Sequence, residues 1–258
     1  PLQGEGIMKL NISFVELNPT VGALEANYNL IKERFKTAIA ENPETELVVF
    51  PECAISGYPV EDLLFKHGFV EKCMEYINKL AELTANNNVG LLIGTPWRQE
   101  GKTYNAAILA EKGKISATRF KYHLPNYGVF DEKRVFDAAQ KLQAPVFFKG
   151  YSLGILICED AWHPDTANFL SKMGAEFFIS INGSPFQTDK QALRVNTMFE
   201  NVVKPTKKGL LYVNLLGGQD ELIFDGGSFS LTYGKSNWTD EEYVDLNAVH
   251  VLNEENNI

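Results

Sequence analysis

The stretch LGILICEDAWHPDTANFLSKMGAEFFISI (153–181) contains the pattern that decides the fold. Two short apolar runs, LGILIC (153–158) and EFFISI (176–181), have the length of buried strands, and the segment near 165–173 between them predicts a helix. A strand, a helix and a second strand in this order favour an α/β fold in which helices cover sheets.

Strand and helix signals alternate on both sides of this stretch. YNAAILAE (104–111) and ISATRF (115–120) predict a hairpin, which makes the sheets mixed rather than purely parallel, and the polar and aromatic segment 121–136 predicts a loop. The glycine pairs of LLGGQDELIFDGGS (215–228) indicate tight loops. No linker rich in Ser, Gly or Pro divides the chain, so residues 8–258 are predicted to form one domain. Further strands are predicted at 9–17, 46–50, 89–94, 209–216, 228–233 and 247–252, and further helices at 24–40, 67–85 and 188–203.

Composition excludes several classes of protein. The chain of 258 residues has 24 Lys and Arg against 33 Asp and Glu, a net charge of −9, which disfavours nucleic acid and anionic membrane surfaces as partners. No apolar run approaches the roughly 18–20 residues of a membrane helix. Three cysteines and no secretory signal predict reduced thiols and a cytoplasmic location. Residues 1–7 precede Met8 and are interpreted as a cloning remnant.

Several common catalytic motifs are missing from the sequence. The four histidines form no HExxH motif or other metal-ligand spacing, so no metal site is predicted. No GxSxG nucleophile turn is present, and no GxGxxG follows the first strand. GTPWRQEGKT (94–103) is superficially similar to a phosphate-binding loop, but its spacing is wrong.

Three reactive side chains each follow a predicted strand. Glu52 follows ELVVFP, Lys121 follows ISATRF, and Cys158 ends LGILIC. Ligands collect at strand ends, and a cysteine with a base and a cation nearby can act as a nucleophile. Glu52 could serve as the base, and Lys121 could stabilise a tetrahedral oxyanion. Each residue also has a structural interpretation, because Cys158 could be a small core residue, Glu52 a loop carboxylate and Lys121 a solvated charge.

Three separated segments resemble the nitrilase, or carbon–nitrogen hydrolase, superfamily. They are VVFPECAISGYPVEDLL (48–64), FKYHLPNYGVFDEKRVF (120–136) and LGILICEDAW (153–162). With SPF (184–186) and GGQDELIFDGGSF (217–229), they are similar to the glutamine amidotransferase domain of the glutamine-dependent NAD+ synthetase family. The resemblance covers most of the chain and implies a four-layer αββα sandwich.

The resemblance also implies roles for individual residues. Glu52, Lys121 and Cys158 match the catalytic Cys-Glu-Lys triad of the family. The other matching positions belong to the substrate pocket and are Tyr127, Phe130, Glu132, Glu159, Ser184 and Arg194. Glu132 is expected to support the triad or position the substrate. Departures from the family pattern at Gly183 and at three other positions do not involve the triad.

The implied activity is hydrolysis of glutamine to glutamate and ammonia, through a thioester and without a cofactor. In the family, a second domain uses ATP and Mg²⁺ to amidate nicotinic acid adenine dinucleotide to NAD+ with that ammonia. Its SGGxDS motif is absent from this chain, so the synthetase domain is expected as a partner, in the same natural chain or a separate one. A homo-oligomer is also expected. Two alternatives stay open: a stand-alone amidase or carbamoylase, and a scaffold that has lost activity.

Overall fold

The computed structural model describes residues 10–233 and the strand at 249–252. The interpretation of residues 1–7 as a cloning remnant therefore lies outside the described residues. The strands are β1 (Ile12–Val15), β2 (Leu47–Val49), β3 (Gly90–Gln99), β4 (Lys102–Glu111), β5 (Lys114–Phe120), β6 (Val146–Phe148), β7 (Tyr151–Ile157), β8 (Phe177–Asn182), β9 (Leu210–Asn214), β10 (Leu216–Gln219), β11 (Leu222–Asp225), β12 (Phe229–Leu231) and β13 (Val249–Leu252). The α-helices are α1 (Leu24–Glu41), α2 (Phe69–Glu82), α3 (Glu132–Val135), α4 (Pro164–Lys172), α5 (Lys190–Met198) and α6 (Lys204–Thr206).

The first sheet has six strands in the order β13-β1-β2-β3-β4-β5. β13, β1, β2 and β3 are parallel, whereas β4 is antiparallel to both β3 and β5. Two antiparallel steps restore the direction of the chain, so β5 runs the same way as β2. The carboxyl ends of β2 and β5 consequently lie at the same edge of the sheet.

The second sheet has five strands in the order β12-β9-β8-β7-β6. Its central strands β7, β8 and β9 are parallel, and the outer strands β6 and β12 are antiparallel to their neighbours. The strand–helix–strand unit predicted over 153–181 is present as β7, α4 and β8.

Alternate residues of the strands pack on opposite sides of each sheet. Ile12 and Phe14 of the first sheet share a buried cluster with Ile155 and Ile179 of the second, so the two sheets pack face to face. The outer face of the first sheet packs against α1 and α2. The outer face of the second packs against α4 and the helical segment that contains Met198. These four layers confirm the predicted αββα sandwich.

Three local predictions need correction. The segment predicted as tight loops forms the antiparallel hairpin β10–β11, because Leu222 and Phe224 pack into a buried cluster with Tyr58. The single helix predicted over 188–203 is composite, since α5 is followed by one π-helical turn (Phe199–Val203) and then by α6. In the predicted loop 121–136, the last residues form the short helix α3.

Helix length and composition also bear on membrane insertion. Among the residues that the structure describes, no helix combines the length and the apolar character needed to cross a bilayer.

Candidate active site

Glu52 lies in a tight turn just beyond the carboxyl end of β2. The turn is held against β3 by the Gly94 N–H, which donates to the Pro51 carbonyl at 3.1 Å. A Cβ atom at Gly94 would lie only 2.5 Å from Glu52 Cα and from Cys53 N, so this approach requires glycine. The Glu52 side chain is fully buried.

Lys121 directly follows β5, and its ammonium group is also fully buried. Its Nζ atom lies 2.7 Å from Oε1 of Glu52 and 2.7 Å from Oε1 of Glu132. Burial alone would lower the pKa of Lys121, but the Glu132 and Glu52 carboxylates outweigh that effect and hold the pKa well above its usual value. The side chain is therefore a buried cation paired with two carboxylates.

Cys158 directly follows β7 and begins a short 3₁₀ helix (Cys158–Trp162). Its φ angle of 47° is in the left-handed region, which is unusual for a residue with a side chain. Burial raises the pKa of the thiol well above its usual value, and the Glu52 carboxylate raises it further. Lys121 and the Gly183 N–H act in the opposite direction. The thiol is therefore protonated in the free protein, and the charges of Glu52 and Lys121 both act on it.

Asp160 joins the backbone around Lys121 to the backbone around Cys158. Its Oδ1 atom accepts from the N–H groups of Tyr122 at 3.0 Å and His123 at 2.8 Å, and Oδ2 accepts from Ile157 N at 3.3 Å. Burial raises the pKa of Asp160 to about 7, although these N–H groups favour the ionised form. Sequence reasoning missed this contribution of the CED motif.

Both oxygens of Glu52 have further donors. Asn105 Nδ2 donates to Oε1 at 2.7 Å, and the Gly183 N–H donates to Oε2 at 2.7 Å. Sequence reasoning also missed Asn105. The available signal was a polar residue inside the apolar strand β4, since a buried amide requires partners.

Glu132 begins α3 and lies beside the Lys121–Glu52 pair. Oε1 accepts from Lys121 and from the Tyr58 hydroxyl at 2.8 Å, whereas Oε2 is buried and has no hydrogen-bond partner. Burial is the main cause that raises the pKa of Glu132. An unpartnered buried oxygen at this position can accept a hydrogen bond from a bound molecule.

Tyr127 and Glu159 form a direct contact beside a cleft of about 580 Å³. The Tyr127 hydroxyl donates to Oε2 of Glu159 at 2.7 Å. Phe130 lies edge-on to Tyr127, with 5.6 Å between the ring centroids. Tyr127 and Glu159 line the cleft, whereas Glu52, Lys121 and Cys158 are buried and are not among its lining residues.

Ser184 and Arg194 form a buried pair beyond the carboxyl end of β8. Arg194 Nε donates to Ser184 Oγ at 3.2 Å, and Nη2 donates to the Ser184 carbonyl at 2.8 Å. Nη1 donates to Asp225 on β11 at 2.9 Å. Its guanidinium is therefore bound by protein groups, and Arg194 acts on the site by holding Ser184.

The other two cysteines differ in position. Cys53 lies next to Glu52, with its Sγ atom 3.7 Å from Asn105 Oδ1, whereas Cys73 lies on α2 in the outer core. Burial raises the pKa of both thiols, that of Cys73 to about 12. Within the described residues, no group of three or more His, Cys, Asp and Glu side chains could hold a metal ion.

The fold and the clustered carboxylate, ammonium and thiol define a class of amide-cleaving hydrolase. The chain belongs to the carbon–nitrogen hydrolase family, whose pattern matches residues 11–242. This family membership confirms the resemblance found in the sequence.

The chain is similar to longer proteins. It is 38% identical over 223 residues to the glutamine-dependent NAD(+) synthetase of Rhodobacter capsulatus, covering 86% of this chain and 40% of the relative. The structure is similar to glutamine-dependent NAD+ synthetase from Acinetobacter baumannii, with a TM-score of 0.78, 32% identity, and coverage of 85% of this chain and 41% of that one. The chain thus spans about two fifths of the length of these relatives.

A carbon–nitrogen hydrolase from Helicobacter pylori shares the fold at nearly full length. Its TM-score is 0.77 at 20% identity, and the match covers 87% of this chain and 82% of that chain. At this identity the likeness concerns the fold alone.

Proposed function

We propose that the chain is a glutaminase that hydrolyses glutamine to glutamate and ammonia through a thioester on Cys158. The observation that carries this proposal is the buried ion pair of Lys121 and Glu52, 2.7 Å apart, whose two charges both act on the Cys158 thiol. Base, cation and nucleophile come from three separate strand ends and share one water-poor site.

In the first half-reaction, Glu52 takes the proton from the Cys158 thiol and the sulfur attacks the side-chain amide carbon of glutamine. This step needs a base because burial keeps the thiol neutral. Lys121 stabilises the oxyanion, helped by the Glu159 backbone N–H. Glu52 then returns the proton to the leaving nitrogen, the C–N bond breaks, and ammonia leaves a glutamyl thioester.

In the second half-reaction, Glu52 removes a proton from water, and the resulting hydroxide attacks the thioester carbon. The C–S bond breaks, glutamate is released, and the sulfur regains its proton from Glu52. Neither half-reaction involves a cofactor. The unpartnered Oε2 of Glu132 supports a role in accepting an N–H of the substrate amide.

Recognition of the amino-acid end of glutamine is assigned to the cleft. Glu159 offers a carboxylate to the α-ammonium group, with Tyr127 and Phe130 beside it. Ser184, fixed by Arg194, lies near the end of β8 that also supplies the Gly183 N–H to Glu52. These contacts favour an amino-acid amide over a simple aliphatic amide.

We further propose that the ammonia serves a synthetase domain that amidates nicotinic acid adenine dinucleotide to NAD+, with ATP and Mg²⁺ bound by that domain. Similarity to two glutamine-dependent NAD+ synthetases supports this partner. The homo-oligomer and the cytoplasmic location stay predictions from the sequence.

The test of the proposed function is covalent labelling with an electrophilic glutamine analogue, followed by mass spectrometry. We expect one adduct, on Cys158, and ammonia release from glutamine that Cys158→Ala abolishes. The matched control is Cys73→Ala, which should keep both properties. Labelling at Cys53 or Cys73 would contradict the assignment, and preferential hydrolysis of another amide in a substrate panel would favour the stand-alone amidase alternative.

A further inference from the structure

Two histidines stack beside the Glu159 carboxylate and line the same cleft. The rings of His123 and His163 are nearly parallel, with centroids 4.0 Å apart and an interplanar angle of 23°. His123 lies two positions after Lys121 in the chain, and His163 directly follows the 3₁₀ helix that begins at Cys158. The stack therefore connects the two segments on which these residues lie.

Each imidazole holds a carboxylate through its Nε2 atom. His163 Nε2 lies 3.1 Å from Oε1 of Glu159, and His123 Nε2 lies 3.0 Å from Oδ1 of Asp165. An ionised carboxylate only accepts hydrogen bonds, so Nε2 is the donor in both pairs. Because Tyr127 donates to the other oxygen of Glu159, this carboxylate is held on both sides.

We infer that His163 is a positioning residue that aims the Glu159 carboxylate at the α-ammonium group of the substrate, with His123 and Asp165 holding the His163 ring in place. The inference deepens the proposed function, since it rests on an amino-acid amide as substrate. Selectivity for the α-amino group then depends on the hydrogen bond from His163 to Glu159 as well as on the Glu159 carboxylate.

The environment of His163 favours such a role over a purely structural one. Its side chain is 43% exposed, so it contributes little to the core, whereas the Glu159 side chain it contacts is only 11% exposed. A carboxylate that is fixed before the substrate arrives loses less conformational freedom on binding, which strengthens binding of the matching cation.

The experiment compares two substrates that differ only in the α-amino group. They are L-glutamine and 4-carbamoylbutanoate, which has hydrogen in place of the α-amino group. His163→Leu removes the donor to Glu159, and His163→Gln supplies an amide N–H near the same position. We expect His163→Leu to lower kcat/KM for glutamine about 10- to 100-fold, mainly through KM, with a change below about 3-fold for 4-carbamoylbutanoate.

His163→Gln should recover most of the glutamine selectivity, and thermal unfolding should show that both variants are folded. His123→Ala, which removes the stacked ring, should change selectivity in the same direction and by less. An equal loss on both substrates, or unchanged selectivity in His163→Leu, would overturn the inference while leaving the glutaminase proposal intact. If the unmodified chain hydrolyses neither substrate and Cys158 takes no label, the proposed function itself fails.

Discussion

The Nζ atom of Lys121 lies 2.7 Å from the Oε1 atom of Glu52, although 69 positions separate the two residues in the chain. Both side chains are fully buried, and Glu132 completes the ion cluster on the other side of the ammonium group. A buried charge is tolerated only when it is paired, so the three groups depend on one another. This dependence makes the effects of single substitutions predictable.

Glu52→Gln should lower amide hydrolysis by about 100- to 10,000-fold, because an amide cannot take the proton from Cys158. The Gln side chain keeps the shape of Glu52, but its amide NH2 group faces at least one of the donors that Glu52 accepts from, so thermal unfolding has to show that the variant is folded. Ammonia release at saturating glutamine measures the loss. Glu75→Gln, on the exposed face of α2, is the matched control and should keep full activity. Comparable loss in both variants would contradict the role of Glu52 as the base.

Lys121→Met should lower the free energy of unfolding by about 3–5 kcal/mol, because it leaves the carboxylates of Glu52 and Glu132 buried without their cation. Denaturant unfolding measures the change. Adding Glu132→Gln to this variant removes one of the uncompensated charges and should recover part of the stability without restoring activity. If the double variant is less stable than Lys121→Met, the two carboxylates do not share the cation as the geometry indicates.

Asp160 should make stability depend on pH. Its pKa is raised by burial to about 7, so the folded state binds a proton more tightly than the unfolded chain does. The contribution of this proton to the free energy of unfolding is complete below the usual Asp pKa near 4 and is lost as the pH rises through about 7. Between pH 5 and pH 8 the free energy of unfolding should therefore fall by about 2–3 kcal/mol.

Asp160→Asn should abolish this component of the pH dependence, as measured by denaturant unfolding of both proteins across that range. An Asn oxygen can keep the bonds from the Tyr122 and His123 N–H groups, but its NH2 group then faces the Ile157 N–H group, so Asp160→Asn should also reduce kcat. An identical pH dependence in the two proteins would show that Asp160 does not titrate between pH 5 and pH 8.

Gly94→Ala should displace the turn that carries Glu52. The new Cβ atom would lie 2.5 Å from backbone atoms of Glu52 and Cys53, and overpacking of this kind destabilises by about 1–3 kcal/mol. Activity should fall further than stability alone explains, because Glu52 moves relative to Lys121. Gly218→Ala is the control, since its nearest neighbour, the Leu222 carbonyl, is 3.5 Å away. Equal effects at the two glycines would contradict this explanation.

The sequence was sufficient to predict the layers and the approximate positions of the catalytic candidates. Apolar runs separated by helical spacing predicted sheets covered by helices, and the family resemblance added the four-layer sandwich. Glu52, Lys121 and Cys158 were recognisable as candidates because each follows a strand, and the resemblance gave them their roles. The direct contact between Lys121 and Glu52 could not be read from the sequence, because it depends on the direction of β5 after two antiparallel steps.

Other features depend on packing between distant segments. The hairpin β10–β11 resembles a loop in sequence because one glycine pair lies within β10 and another follows β11, and its packing on the cluster that contains Tyr58 favours extended strands. The π-helical turn after α5 has no comparable signal. Asn105 could have been identified as a buried amide in need of partners, but nothing in its neighbours indicates Glu52 as that partner.

At Cys158 the left-handed backbone conformation favours glycine, whereas the proposed reaction requires a cysteine. A glycine would occupy φ of 47° without steric penalty, whereas a side chain there costs about 1–2 kcal/mol. Among variants that lack the sulfur, Cys158→Gly is therefore expected to melt at a higher temperature than Cys158→Ala, because only glycine removes the backbone penalty. Thermostabilising redesign guided by backbone preference alone would place Cys158 among the residues to replace with glycine, and that substitution would remove the sulfur on which turnover depends.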